Sequence, residues 1–122
     1  MDDGKRSLFR KLKAQIRDEH VLWAMEQIPR ERFISTDNQR LAYDDIALPI
    51  GEGQTISQPL IVAMMTSALE LRGSERVLEV GTGSGYQAAV LSLLVPSGRV
   101  ITVERVPSLA KKAADVLLSL GY

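Results

Sequence analysis

Residues 77–87, VLEVGTGSGYQ, join a short apolar stretch to three glycines that alternate with other residues. The β-branched run over residues 76–80 predicts a buried strand, and the glycines predict a tight turn that lets the backbone approach a ligand closely. Residues 86–94 then have the apolar content of a helix. A strand, a glycine turn and a helix in this order favour a nucleotide-binding α/β fold, in which free N–H groups of the turn and the helix start face the ligand.

The second half of the chain repeats the same order. A turn at residues 96–98 leads to a second apolar strand at 99–103, and Pro107 opens a helix for which Gly121 is the expected stop. Short apolar strands that alternate with helices imply parallel pairing. We therefore predict the beginning of a doubly wound, Rossmann-like sheet.

The first half has a different character. A basic amphipathic helix over residues 5–16 precedes a short helix at 18–27, and the charged face of the first is more simply a solvated surface than a site for RNA or membrane. Residues 29–58 show no sustained period, although their apolar side chains indicate a packed segment. Residues 59–71 predict a helix that is apolar on almost every side and is therefore expected to be buried.

Composition excludes several classes of function. Fifteen basic and fifteen acidic residues give a net charge of zero, so no overall field draws the chain to nucleic acid or to an anionic membrane. Cysteine is absent and His20 is the single histidine, which leaves neither thiolate chemistry, a Ser-His-Asp triad nor a histidine-rich metal site. The N-terminus does not read as a signal peptide and no apolar run is long enough to span a bilayer. We expect a cytoplasmic protein without a metal.

The spacing of the glycines indicates which class of ligand the turn can bind. A dinucleotide fingerprint that starts at Gly81 requires glycine at position 86, where the chain has Tyr86. Glu79, two residues before Gly81, would repel a diphosphate but suits a cationic ligand. S-adenosylmethionine fits these conditions, because it carries a sulfonium and an ammonium group and no phosphate.

Glu104 supplies an independent indication. It follows the second strand about twenty residues after the turn, where a carboxylate can accept hydrogen bonds from ribose hydroxyls. Together with Glu79 and the preceding strand, it favours a methyltransferase-type fold. A structural glycine turn beside an exposed acid is the alternative.

Longer stretches resemble one family. LPIGEGQTISQP at residues 48–59, RVLEVGTGSGYQAAVLS at 76–92 and the following VITVE closely resemble protein-L-isoaspartate O-methyltransferases, and IPRERFI at 28–34 and AYDD at 42–45 are similar to the same family. The glycine turn is common to many methyltransferases, whereas GQTISQP at this distance before it is specific to the family.

The resemblance implies transfer of a methyl group from S-adenosylmethionine, with S-adenosylhomocysteine as product, to the free carboxyl of L-isoaspartyl and D-aspartyl residues in damaged proteins. Isoaspartyl peptides and proteins are then the partners. The resemblance makes Ser57 the active-site hydroxyl. The expected cofactor-binding residues are Gln54, Thr55, Ile56, Ser57, Glu79, Gly81, Thr82, Gly83, Ser84, Gly85, Glu104 and Arg105.

Simpler roles remain open for some polar residues of this region. Ser57 or Thr55 would by itself be a helix cap for the segment that follows. Asp44 and Asp45 are expected to be surface or turn acids rather than catalytic ones. Gln58, like Gln54, is a further candidate contact to substrate or cofactor.

The length of the chain, 122 residues, gives an expectation about its domain organisation. Residues 1–58 are expected to form N-terminal helices and a family-specific loop region, and residues 59–122 the first half of a cofactor-binding domain. Because the family's sheet has about seven strands, the chain looks like an N-terminal portion, with an exposed sheet edge open to self-association or disorder near its end. Another S-adenosylmethionine-dependent methyltransferase, or an inactive binding or assembly module, are the alternatives.

Overall fold

The computed structural model describes residues 2–122 of the chain. Five α-helices and four β-strands occur within that range, together with two short 3-10 helices at Arg30–Phe33 and Thr36–Leu41. In chain order the regular elements are α1 (Asp3–Gln15), α2 (Glu19–Gln27), β1 (Leu48–Gly51), β2 (Gln54–Ile56), α3 (Pro59–Ala68), β3 (Arg76–Val80), α4 (Tyr86–Leu94), β4 (Arg99–Val103) and α5 (Pro107–Leu120).

Helices α1 and α2 begin where acidic side chains satisfy free N–H groups. Asp2 accepts from the N–H of Lys5 at 2.9 Å, and Asp18 accepts from that of Val21 at 3.1 Å. The buried residues of α1 are Leu8, Phe9 and Leu12, at the spacing of one helical face. This confirms the predicted amphipathic helix, which begins two residues earlier than expected.

Residues 29–58 are more regular than their sequence suggests. The two 3-10 helices lead into an antiparallel hairpin in which Leu48 pairs with Ile56. The inward side chains Leu48, Ile50 and Ile56 are buried in the core. The expectation of a packed segment is confirmed, but the absence of a clear period concealed the hairpin because each strand is only three or four residues long.

Helix α3 begins at Pro59 as predicted, but it ends at Ala68 rather than at residue 71. The expectation that it is buried all round is wrong. Val62, Ala63 and Thr66 face the core, whereas Met65 is 67% exposed. An apolar composition without an amphipathic pattern could not show which side faces solvent.

Strands β3 and β4 pair in parallel from Arg76 opposite Arg99 to Val80 opposite Val103. The parallel pairing and the order of strands and helices confirm the sequence-based expectation. The strands form a separate two-stranded sheet. Its outer face, defined here by Leu78, Val80, Ile101 and Val103, is exposed.

A single hydrophobic cluster joins the N-terminal helices to the α/β half. It runs from α1 and α2 through the hairpin and α3 to α4, and includes Leu109 of α5. Helix α5 ends at Leu120 and is capped by Gly121, which has φ +82° and donates its N–H to the carbonyls of Leu117 and Leu118. None of the helices in residues 2–122 combines the length and apolar character needed to cross a bilayer.

Candidate functional site

An open groove of about 420 Å³ lies beside the carboxyl end of β3. One wall is the Thr55–Ser57 segment, another is the glycine turn from Gly81 to Ser84, and α3 and α4 contribute Met65 and Gln87. A groove at the carboxyl ends of parallel strands is where open α/β sheets bind their ligands. The sheet and the hairpin therefore meet at a binding position.

The glycine turn has a backbone that other residues adopt only with strain. The φ angles of Gly81, Gly83 and Gly85 are +96°, +56° and +91°. A Cβ atom at Gly85 would lie 3.2 Å from the Cβ of Ala113, so this glycine also lets α4 begin close against α5. The third glycine thus has a packing role one residue before the position at which a dinucleotide fold places it.

Most N–H groups of this turn already have partners within the protein. Gly81 and Thr82 donate to the carbonyl of Val103 at 2.8 and 3.1 Å, and Gly85 donates to that of Thr82 at 2.9 Å. The Gly83 N–H donates to Oε1 of Glu104 at 2.9 Å. The expectation of free turn N–H groups facing the ligand is wrong to this extent, and the turn has few donors left for a diphosphate.

Glu104 lies directly after β4 and is tied to the turn. Its second carboxylate oxygen accepts from the N–H of Val106 at 3.0 Å. The N–H groups of Gly83 and Val106 lower the pKa of Glu104. The carboxylate is therefore held ionised beside the turn, and its remaining lone pairs can accept further hydrogen bonds.

Glu79 is the second acid of the site and lies partly buried near the end of β3. Thr102 donates to its carboxylate at 2.6 Å, and Thr82 and Thr102 are also hydrogen-bonded at 2.6 Å. Because the single hydroxyl proton of Thr102 goes to Glu79, Thr82 is the donor to Thr102. Burial raises the pKa of Glu79, the negative charge of Glu104 acts in the same direction, and the Thr102 bond opposes both.

Ser57 follows the hairpin directly and its side chain is exposed at the groove. Its backbone carbonyl accepts from Nη2 of Arg30 at 2.9 Å. Neither Ser57 nor Thr55 caps α3, so that alternative reading is wrong. The N–H of Leu60, in the first turn of α3, donates instead to Oδ1 of Asp45 at 2.8 Å.

Asp45 therefore has a defined structural role. Its other oxygen accepts from the side-chain amide of Gln58 at 3.2 Å, so one carboxylate holds the segment on both sides of Pro59. Asp44 is exposed. The expectation that these are turn and surface acids fits Asp44 but did not foresee that Asp45 secures the start of α3.

Eight of the expected site residues line the groove and four do not. Those in the lining are Thr55, Ile56, Ser57, Glu79, Gly81, Thr82, Gly83 and Ser84. Gln54 is exposed at the start of β2, Gly85 is buried at the start of α4, Glu104 contacts the turn from the end of β4, and Arg105 is exposed beyond it. Among residues 2–122 no cluster of three or more His, Asp or Glu side chains is arranged to hold a metal ion.

Sequence reasoning missed several residues around the groove. Gln87 donates to Thr66 at 3.0 Å and joins α4 to α3, while Tyr86 packs edge-on against Phe33 at 5.6 Å. The guanidinium of Arg30 lies 5.0 Å from the centre of the Tyr86 ring. Tyr86 directly follows the glycines, and Arg30 and Gln87 lie in stretches that resemble the family, but their contacts are with residues distant along the chain.

The chain is similar to one family of known proteins. Residues 3–122 match the family model described as protein-L-isoaspartate(D-aspartate) O-methyltransferase (PCMT). The chain is 51% identical over its full length to a protein-L-isoaspartate O-methyltransferase of Ignicoccus hospitalis, of which it covers 59%. It is 60% identical over 88% of its length to protein-L-isoaspartate O-methyltransferase 2 of Pelobacter propionicus, of which it covers 47%. The chain thus spans about half the length of these relatives.

Solved structures give the same result for the fold. A protein-L-isoaspartate O-methyltransferase superposes with a TM-score of 0.86 at 35% identity, over 96% of this chain and 39% of the other. A Plasmodium falciparum protein assigned to the same enzymes, in complex with S-adenosyl-L-homocysteine, superposes with a TM-score of 0.83 at 28% identity, over 97% and 56% of the two chains. The fold is that of the N-terminal part of an α/β methyltransferase.

Proposed function

Because the chain belongs to the protein-L-isoaspartate(D-aspartate) O-methyltransferase family, we propose that it binds S-adenosylmethionine and transfers its methyl group to the free carboxyl of isoaspartyl residues. D-Aspartyl residues are the second substrate class that the family name implies. Within this proposal, residues 1–58 form the N-terminal helices and a family-specific loop region that contributes Gln54 to Ser57 to the site, and residues 59–122 form the first half of the cofactor-binding domain.

The observation that carries the proposal is the composition of the groove. It places the Ser57 hydroxyl, the Glu79 carboxylate and the glycine turn around one space of about 420 Å³. The turn uses most of its N–H groups internally, and two acids lie beside it. A ligand with positive charge and no phosphate suits this environment better than a dinucleotide does.

The cofactor-binding role of the individual residues is part of the proposal. Glu104 would accept from the ribose hydroxyls and Glu79 would face the cationic part of the cofactor. Gly81 to Gly85 would let the backbone approach the nucleoside. The remaining proposed contacts are Gln54, Thr55, Ile56 and Arg105.

For methyl transfer to a carboxylate, the main task of the protein is to position the two reacting groups. When bound, S-adenosylmethionine supplies an electrophilic methyl group that an ionised carboxylate attacks without a general base. The Ser57 hydroxyl would donate to one oxygen of the substrate carboxylate and leave the other free to attack. Correct placement of reacting groups can contribute several kcal/mol, roughly up to 7–11.

Two experiments test the proposed function: measurement of cofactor binding and measurement of methyl transfer. Calorimetric titration with S-adenosylmethionine and S-adenosylhomocysteine is expected to give saturable heat. Radiolabelled methyl groups are expected to pass to an isoaspartyl peptide, but not to the same peptide with normal aspartate and not to RNA. A folded chain that shows no binding in either titration would contradict the proposed function.

Ser57→Ala tests the role of the hydroxyl. We expect the rate of methyl transfer to fall by about tenfold or more, because a lost hydrogen bond to a charged group costs roughly 1.5–3 kcal/mol. Ser7→Ala, on the exposed face of α1, is the matched control. Full activity in the Ser57 variant would refute this role.

Self-association belongs to the same proposal. The β3–β4 sheet has only two strands, so each strand has an unpaired edge within residues 2–122, and unpaired edges are templates for pairing with another chain. We expect a second copy to pair with such an edge, and light scattering that shows a monomer at all concentrations would contradict it. A cytoplasmic location is also proposed, and fractionation of cells that express the tagged chain would test it.

A further inference from the structure

Arg30 is a buried guanidinium that the proposed chemistry does not use. It begins the 3-10 helix Arg30–Phe33 and is 1% exposed. Within residues 2–122 it forms no salt bridge, and its Nε and Nη1 have no hydrogen-bond partner. Burial of a cation without a carboxylate is costly. We therefore expect the buried guanidinium of Arg30 to have a role other than stabilisation of the core.

The contacts that Arg30 does make connect two walls of the groove. Nη2 donates to the carbonyl of Ser57 at 2.9 Å, on the wall that presents the proposed active-site hydroxyl. The guanidinium also lies over the ring of Tyr86, 5.0 Å from its centre. Tyr86 directly follows the glycine turn and opens α4. One side chain therefore links the Ser57 segment to the cofactor side of the site.

The surroundings hold Arg30 in one orientation. Its backbone N–H donates to the hydroxyl of Tyr43 at 3.2 Å, and that hydroxyl donates to the carboxylate of Glu31. Tyr86, in turn, packs against Phe33 of the same 3-10 helix. Burial lowers the pKa of Arg30, and the side chain of Tyr86 opposes this shift more than the charge of Asp45 does. Because an arginine guanidinium loses its proton only at very high pH, the group remains a cation.

We propose that Arg30 is a positioning residue for methyl transfer, which holds the Ser57 carbonyl and so sets the distance between the Ser57 hydroxyl and the glycine turn. This inference rests on the proposed function. Arginine suits the task because its planar group can stack on an aromatic ring while an N–H donates in the plane. Lysine can donate to the carbonyl but cannot stack in this way, and methionine only fills the space.

The test compares Arg30→Met and Arg30→Lys with the wild-type chain. In Arg30→Met we expect kcat for an isoaspartyl peptide to fall by about tenfold to a hundredfold, because a displacement of about 1 Å can cost that much. The dissociation constant of S-adenosylmethionine should change much less than kcat, and Arg30→Lys should recover part of the loss. Arg32→Met is the matched control, since Arg32 lies exposed on the same 3-10 helix and donates to Ser119 at 2.9 Å.

A spectroscopic readout separates positioning from simple loss of stability. The Gln58 N–H belongs to the same peptide group as the Ser57 carbonyl, so its NMR resonance reports the contact with Arg30. We expect this resonance to shift in both Arg30 variants and to stay in place in Arg32→Met. If Arg30→Met does not fold, Arg30→Lys supplies the same comparison. If the chain binds S-adenosylmethionine without transferring methyl, an unchanged Gln58 resonance overturns the inference and a shift supports it.

The two proposals fail in different ways. An active wild-type chain with unchanged kcat in a folded Arg30→Met variant overturns the role of Arg30 alone. A wild-type chain that binds no S-adenosylmethionine overturns the proposed function and, with it, this inference.

Discussion

The helical side of the molecule and the outer face of the β3–β4 sheet use the same kinds of residue in opposite environments. Leu12 in α1 is 1% exposed, whereas Leu78 in β3 is 64% exposed. The core is built where α1, α2, the hairpin and α4 meet, and the hydrophobic cluster includes no residue of β3 or β4. Apolar character alone therefore does not locate the core. The groove has walls from both regions: the Thr55–Ser57 segment of the hairpin side and the glycine turn that follows β3.

The strongest test of this difference is one substitution made on both sides. Leu12→Ala should lower the free energy of unfolding by about 2–5 kcal/mol, because it opens a cavity in a packed core. Leu78→Ala should change it by only about 0.5 kcal/mol, as for a surface position. Chemical denaturation of both variants measures this. A comparable loss for Leu78→Ala would mean that the outer face is covered in solution.

A second test addresses the junction between the regions. Gly85→Ala combines a φ of +91° with a Cβ 3.2 Å from that of Ala113, so we expect a loss of about 2–4 kcal/mol from strain and overpacking. Gly121→Ala has a similar φ of +82° in open space, and strain alone predicts a loss of about 1–2 kcal/mol. Thermal melts of the two variants separate packing from strain. Equal losses would show that the contact with α5 contributes nothing.

The smallest effects concern Glu79 and Glu104, the two acids beside the glycine turn, whose contributions to stability should respond to pH in opposite directions. Burial is the largest influence on Glu79 and raises its pKa above the value in the unfolded chain. The stability that Glu79 contributes is therefore present at low pH and is lost as the pH rises through the folded-state pKa. The pKa of Glu104 is lowered, chiefly by the N–H of Gly83, so its contribution is present above the unfolded pKa and is lost as pH falls through the folded one.

Replacement of each acid by glutamine distinguishes these cases. At neutral pH, Glu79→Gln should be slightly more stable than wild type and Glu104→Gln slightly less stable. Denaturation midpoints recorded from mildly acidic to neutral pH provide the measurement. Shifts of the same sign in both variants would contradict the assigned environments.

The parts of the structure that the sequence predicted best are those with local signals. The bounds of β3, α4 and β4 agree with the predicted ones, because glycines, prolines and β-branched runs mark their ends within a few residues. The glycine turn and Glu104 were recognised for the same reason. Their grouping in one groove followed from parallel pairing, since parallel strands bring their carboxyl ends together.

The features that escaped prediction depend on partners far along the chain. Arg30 contacts Ser57 across 27 positions, and Asp45 contacts Leu60 across 15. No periodicity or motif reports such pairs before the fold is known. The exposure of Met65 was missed for a related reason: an almost uniformly apolar helix carries no information on its own orientation.

The carboxylate of Asp45 at the start of α3 has a consequence for nucleophilicity. A helix start ordinarily attracts anions, and here the N–H of Leu60 is already engaged. An isoaspartyl carboxylate that approached Ser57 would thus not be stabilised by the Leu60 N–H. Under the proposed function this is an advantage, because an anion that is solvated too well by its binding site gives up reactivity for affinity.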